Sequence, residues 1–349
     1  MISKTTFAAL ATMSTVKAGD TNFWKTKAVY QVLTDRFAQD SNGNGACGDL
    51  SNYCGGTWKG IQNNLDYISG MGFDAIWISP VVDNLEPGYH GYWARDWTKR
   101  NSHFGGDDDL KNLVKAAQAK GIAVMVDVVA NHSAPIGDDF NQLFPLNKSE
   151  HYHSDCDIND WGNQWQVENC RLAGLPDLNQ DNSYVRGYLK DWIKNLVQEF
   201  GFDGIRIDTL PEVSKQFWGE YRDAAGVFQM GECFNGDPAY VGPYQGPING
   251  VFNYPMYYTI KDVFGSGKSM YGIKNRYNEE GAHFSDIDAT GLFVDNHDNA
   301  RFLNQFNNQT AFKSALAFAL TGRGIPFYYY GSEQAYAGGS DPQNRESLW

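Results

Sequence analysis

The chain has 349 residues, with 41 acidic against 28 basic side chains and a formal charge of −13 at pH 7. That balance argues against a nucleic-acid or anionic-membrane surface, because phosphate binding is driven by clustered Lys and Arg and no basic run occurs. Hydrophobic residues at 42% and aromatics at 15% exclude disorder for the chain as a whole, and rings beyond those a core uses suit a ligand with flat apolar faces.

At the N-terminus, Lys4, the mildly apolar stretch Thr5 to Val16 and the small-x-small triplet Val16-Lys17-Ala18 read as a secretory leader, residues 1–18. No other segment approaches the ~20 apolar residues of a membrane-spanning helix, so a soluble, secreted monomer is expected. Ala28–Leu33, Phe73–Ile78, Ile122–Asp127 and Phe202–Ile207 are β-branched or aromatic runs that read as buried strands. Val227–Met230, Gly250–Asn253, Gly291–Val294 and Ile325–Tyr330 extend the series to eight. Amphipathic helices lie between them: Leu110, Leu113, Val114 and Ala117 form one stripe over Asp108–Lys120, and Val185, Leu189, Trp192, Ile193 and Leu196 another. Alternation of this kind points to a parallel (β/α)8 barrel, although a doubly wound sheet carries the same local signals.

After the third strand the pattern breaks. Residues 133–181 are rich in Asn, Asp, His and Trp and carry no convincing helix, and a stretch so long inside a compact domain is usually functional. It reads as an inserted subdomain, with the barrel made of residues 19–132 and 182–349. Of five cysteines, Cys47 with Cys54 and Cys156 with Cys170 pair by proximity, which places the protein in an oxidising compartment. Cys233 is left as a buried free thiol. Asn147 and Asn308 open glycosylation triplets; Asn131 also fits the triplet, but its position argues against modification.

Catalytic groups of a parallel barrel sit where its strands end at the C-terminal face. Four strand ends here carry acids: Asp127, Asp208, Glu232, and Asp295 with Asp298. Carboxylates clustered at one mouth serve metal binding or paired acid/base and nucleophile work on a glycosidic bond. Arg206, two residues before Asp208, points to the same side of its strand and can hold that carboxylate ionised.

The runs Asp127-Val-Val-Ala-Asn131-His132, Gly204-Ile-Arg206-Ile-Asp208, Gly231-Glu232-Cys-Phe-Asn-Gly and Phe293-Val-Asp-Asn-His297-Asp298 resemble, in order, the four sequence regions of the α-amylase family of glycoside hydrolases. Tyr30-Gln-Val-Leu-Thr-Asp-Arg-Phe, Tyr53-Cys-Gly-Gly-Thr-Trp, His90-Gly-Tyr92-Trp93 and Gly338-Gly-Ser-Asp341-Pro-Gln-Asn-Arg345-Glu are similar to its fungal branch, so the resemblance covers Asn22 to Trp349. It implies a (β/α)8 TIM barrel with a calcium-binding subdomain after the third strand, and retaining endo-hydrolysis of α-1,4-glucosidic bonds in starch-like polysaccharide. Asp208 is then the nucleophile, Glu232 the acid and later base, and Asp298 the carboxylate that holds and distorts the sugar. His90, Tyr92, Trp93, His132, Arg206, His297, Asp341 and Arg345 are implied around the substrate. Calcium is implied at Asn131, Glu168, Asp177 and the backbone carbonyl of Glu212.

Two departures stand out. Where the family usually has a Lys-His pair on the leaving-group side, this chain has Pro211-Glu212, which keeps an α-glucan transglycosylase in view. After the eighth strand the text lacks the eighth helix and C-terminal β-domain of the family, which keeps a truncated, inactive glucan-binding homologue in view. The same shortfall leads to the expectation that the outer faces of the first and eighth strands, within Val29–Leu33 and Phe327–Tyr330, stand uncovered.

Overall fold

A computed structural model describes residues 19–41 and 47–348; the leader expected at residues 1–18 lies outside them. Ten strands occur in these residues: β1 Val29–Val32, β2 Ala75–Ile78, β3 Val82–Asn84, β4 Ala94–Arg100, β5 Ala123–Val128, β6 Gly204–Ile207, β7 Phe228–Gly231, β8 Gly250–Val251, β9 Gly291–Leu292 and β10 Ile325–Tyr329. Eight are parallel neighbours in the order β8-β7-β6-β5-β2-β1-β10-β9. A parallel bridge between Phe252 and Gly291 closes the ring, and the Asn253 amide donates to the Gly291 carbonyl at 2.9 Å. The molecule is therefore a (β/α)8 barrel.

Burial of both strand faces explains why these strands read as unbroken apolar runs. Val29, Ala75, Trp77, Met125, Met230 and Phe327 fill the interior. The opposite faces, with Tyr30, Ile76, Val124, Ile205 and Ile207, pack beneath the helices. Trp24 plugs the interior from the N-terminal side, stacked on Phe228 at 5.3 Å. A Cβ at Gly204 would come within 2.6 Å of the Trp24 ring, so only glycine fits there. The helix Asp107–Ala119 buries Leu110, Leu113, Val114 and Ala117, and its three acidic residues in the first turn oppose the helix dipole. The helix Ser183–Phe200 starts at Asn182, whose side chain accepts from Tyr184 and Val185, and ends at left-handed Gly201.

Three features depart from the sequence reading. The antiparallel hairpin β3–β4, outside the barrel, was not anticipated. Within residues 133–181 a helix does form, Gln164–Asn169, started by Asn163. The outer faces of β1 and β10 are not left in water: Tyr30 and Tyr330 are fully buried and Tyr328 nearly so. Phe73 packs 5.2 Å from both the Tyr30 and Tyr328 rings, while the return segment after β10 covers the rest. Within it the Glu346 carbonyl accepts from the Tyr330 hydroxyl at 2.7 Å, and the Leu348 amide donates to the Arg36 carbonyl at 2.8 Å. Both cysteine pairs form disulfides and Cys233 is a buried free thiol. Among the described residues no helix is long and apolar enough to cross a membrane.

Candidate active site

The C-terminal strand ends bring Asp127, Asp208 and Glu232 around one guanidinium. Arg206 Nη1 donates to Asp208 Oδ1 at 2.7 Å and to both oxygens of Asp127 at 3.1 Å, and Nη2 lies 2.7 Å from Glu232 Oε2. Arg206 is 1% exposed, so its charge acts without water to weaken it. Asp127, on β5, also accepts from Trp77 Nε1 at 3.1 Å and the Tyr92 hydroxyl at 2.7 Å. Asp295 points elsewhere, accepting from the Phe302 amide at 2.7 Å and the Ser332 hydroxyl at 3.1 Å, and so braces the loop after β9.

Burial pushes Asp208 upward and Glu232 and Asp298 add to the push, while Arg206 opposes it. Glu232 is likewise raised by burial, opposed by Arg206, and raised further by the neighbouring carboxyl of Asp298. Arg206 stabilises the charged forms of Asp208 and Glu232 alike, while burial and the neighbouring acids favour their neutral forms, so one carboxyl of this cluster can hold a proton beside an ionised one. Two residues absent from the sequence reading join it: the Tyr254 hydroxyl donates to Glu232 Oε1 at 3.0 Å, and Asn296 Nδ2 donates to Tyr254 at 2.9 Å. Both follow barrel strands at the catalytic face, which is the one signal that would have flagged them.

A cavity of about 480 Å3 opens at the cluster, lined by Tyr92, His132, Asp208, Glu232 and Asp298 together with Trp161, Leu175, Pro211, Glu212 and Phe234. Trp161 and Phe234, 59% and 51% exposed, are further residues the sequence reading missed; unburied rings of this size are the signal for sugar stacking. Arg206 and His297 stand behind the cavity wall. Gln31 donates to His297 Nδ1 at 2.8 Å, so Nε2 carries the proton toward the Tyr92 oxygen 2.7 Å away. Burial keeps His297 and His90 neutral, and it lowers His132 to about 4. His132 Nε2 lies 3.2 Å from the Tyr92 carbonyl, and His90 Nδ1 accepts from the Tyr92 amide at 3.0 Å. Trp93 sits edge-on to His90 and off the cavity. Arg345 pairs with Asp341 at 3.1 Å and reaches Asp298 at 3.6 Å, but neither Arg345 nor Asp341 lines the cavity.

The residues picked for calcium meet at a second corner. Asn131 Oδ1 stands 2.9 Å from Asp177 Oδ1 and 3.1 Å from the Glu212 carbonyl oxygen. With the Asn131 amide turned this way three oxygens converge, a set that a hard divalent cation would bind; turned the other way, its Nδ2 donates to Asp177 and to the Glu212 carbonyl. The donor set fits calcium. Asp177 is buried, raised to about 7, and bonded at 2.6 Å by His153. Glu168 lies one step away, accepting at 2.8 Å from Gln164 Nε2, which also donates to the Pro211 carbonyl at 3.0 Å. Among the described residues no three His, Cys, Asp or Glu side chains cluster for a metal, so this corner relies on amide and carbonyl oxygens.

Residues 31–347 match the family model for the α-amylase catalytic domain. Over 97% of its length the chain is 44% identical to a β/α-amylase of Paenibacillus polymyxa, of which it covers 30%. It is 40% identical, again over 97%, to α-amylase 1 of Lipomyces kononenkoae, of which it covers 57%. A solved α-amylase from Malbranchea cinnamomea superposes with a TM-score of 0.92 at 41% identity, covering 94% of this chain and 73% of that one. The chain thus spans less than two thirds of the length of both curated relatives.

Proposed function

The chain belongs to the α-amylase family, and we propose that it hydrolyses internal α-1,4-glucosidic bonds of starch-like glucan with retention of configuration. The observation that carries this reading is the single guanidinium bonded to both Asp208 and Glu232 beneath a cavity at the barrel mouth. One fork reaching both groups favours the short separation, ~5 Å, of retaining enzymes. Glu232 gives its proton to the glycosidic oxygen as Asp208 attacks the anomeric carbon; the C–O bond breaks and a glycosyl ester forms on Asp208. Water then attacks the anomeric carbon, Glu232 takes the water's proton, and the bond from that carbon to Asp208 breaks, releasing the carboxylate. Asp298 and Tyr92, both facing the cavity, orient the sugar, and His132 presents its ring to the hydroxyls. We read residues 133–181 as the inserted subdomain, with Asn131, Asp177, the Glu212 carbonyl and Glu168 holding calcium. When bound, calcium ties that segment to the barrel and neutralises the buried Asp177. The two disulfides support secretion.

Digestion of soluble starch, followed by chromatography and by proton NMR of the first products, tests the reading. Internal cleavage to oligosaccharides released as α-anomers is expected; β-anomers, or release of single units from chain ends, would overturn it. The Pro211-Glu212 departure favours transglycosylation as the second reading, and transfer products longer than the donor, in the same digest, would identify it.

A further inference from the structure

We propose that Tyr254 and Asn296 are positioning residues that aim one hydrogen bond at Glu232 and lock its place relative to Asp298, an inference that rests on the acid role of Glu232 given above. Asn296 Oδ1 accepts from the Asp298 amide at 3.2 Å, from the Asn299 amide at 3.0 Å and from Asn299 Nδ2 at 2.9 Å. Three donors on that oxygen fix the orientation of the amide. Its Nδ2 must then face Tyr254, where it donates to the phenol oxygen at 2.9 Å. With an amide hydrogen occupying the phenol's lone pair, the phenol hydrogen has one acceptor left, Glu232 Oε1 at 3.0 Å. One side chain therefore sets the backbone of the Asp298 loop and the polarity of the bond to Glu232. Tyr254 and Asn296 are 1% and 6% exposed, so neither bond competes with bulk solvent. The Tyr254 ring is held separately, 4.5 Å from Phe234 and 5.1 Å from Phe293. Loss of its hydroxyl leaves that packing intact.

The other groups facing Glu232 are Arg206 on β6, Asp208 and Glu212 beyond β6, its neighbour Cys233, and Asp298 beyond β9. Of these Arg206 bonds the far oxygen, and the near oxygen depends on Tyr254. A hydroxyl donating to Glu232 favours its charged form. Without it Glu232 holds its proton to higher pH, in a less defined orientation.

The test compares the full chain with Tyr254→Phe and Asn296→Asp on a maltooligosaccharide and on α-maltosyl fluoride, whose fluoride departs without being protonated. Tyr254→Phe is expected to lower kcat/KM on the oligosaccharide roughly 10-fold or more and on the fluoride less than about 3-fold. The alkaline limb of its pH profile moves up. Asn296→Asp keeps the acceptor for the Asp298 loop but turns the phenol hydrogen toward itself, so it reproduces the same split without touching the tyrosine. Equal losses on the two substrates, or an unmoved alkaline limb in Tyr254→Phe, would overturn the proposal. Glu232→Gln is run alongside: it should lose the oligosaccharide reaction far more than the fluoride reaction. If it keeps both, the acid role itself falls and this proposal falls with it, a result distinguishable from failure in the Tyr254 and Asn296 variants alone.

Discussion

Two groups of buried carboxylates lie close together in this barrel and meet the cost of burial in different ways. At the mouth, Asp127, Asp208 and Glu232 share Arg206, a cation supplied by the chain itself. At the neighbouring corner, the Asp177 carboxyl is bonded by His153 and has no arginine or lysine paired with it among the described residues. Between the two, Glu212 turns its carbonyl to that corner and its carboxyl to the cavity, where Oε2 has no hydrogen-bond partner and the carboxyl is raised to about 8, chiefly by burial. An uncompensated buried charge costs several kcal/mol, so such a group takes a proton or a bound cation. The mouth thus carries a cation of its own, whereas Asp177 at the corner needs a proton or a bound cation.

The largest effect should follow from breaking the mouth chemically while leaving its shape nearly intact. Asp208→Asn and Glu232→Gln are each expected to lose at least ~10³-fold of starch hydrolysis with little change in melting temperature. More than a tenth of the original rate in either variant would remove the assignment. Breaking the same region electrostatically should cost stability as well: Arg206→Leu leaves three carboxylates without their cation, and a loss of about 3–5 kcal/mol in denaturant unfolding is expected. An unfolding midpoint unchanged from the parent chain would show that Arg206 does not hold the mouth together.

The corner should respond to metal instead. Excess chelator is expected to lower the melting temperature of protein first loaded with calcium, because a ligand bound only by the native state adds ~2.7 kcal/mol at a hundred times its dissociation constant. Asp177→Asn should melt lower and respond less to chelator, while Asp208→Asn should respond as fully as the parent chain. If both variants respond alike, Asp177 is not a ligand and the contrast between the two regions collapses.

How much of this was legible in the sequence follows from which forces act locally. The eight apolar runs and the acid after each of four of them are local patterns, and the structure places them where a parallel barrel requires. The hairpin β3–β4 was hidden because Ala94-Arg-Asp-Trp-Thr-Lys-Arg100 has no apolar alternation and is a strand only through its pairing with Val82–Asn84. Tyr254 and Asn296 were hidden because their meaning lies in bonds spanning 22 and 42 positions of sequence. Cover for β1 and β10 was misjudged for a related reason: the return segment packs through Tyr330 and Tyr336 hydroxyls bonded to its carbonyls, with no helical periodicity to announce it.

The smallest effect, and the one that sharpens the comparison most, concerns the side chain of Glu212. Its carbonyl faces the Asn131 and Asp177 oxygens while its carboxyl lines the cavity beside Glu232, so one residue touches both regions. Pro211→Lys with Glu212→His restores the pair usual in the family and leaves every backbone carbonyl in place. The metal response should therefore persist. What changes is the cavity wall: a buried carboxyl raised by Asp208 and Glu232 gives way to an imidazole that can donate to a sugar hydroxyl, with an ammonium beside it. A hydrogen bond gained or lost in a substrate site is worth ~0.5–1.5 kcal/mol, which is a few-fold in affinity. Starch turnover should thus stay within about 3-fold of the parent, while the ratio of short to long maltooligosaccharides, and of hydrolysis to transfer, shifts. An identical product profile would show that these two positions are passive and that the leaving-group side is set by Trp161, Leu175 and Phe234 alone; a lost chelator response would show instead that the proline, through the carbonyl bonded by Gln164, shapes the calcium corner.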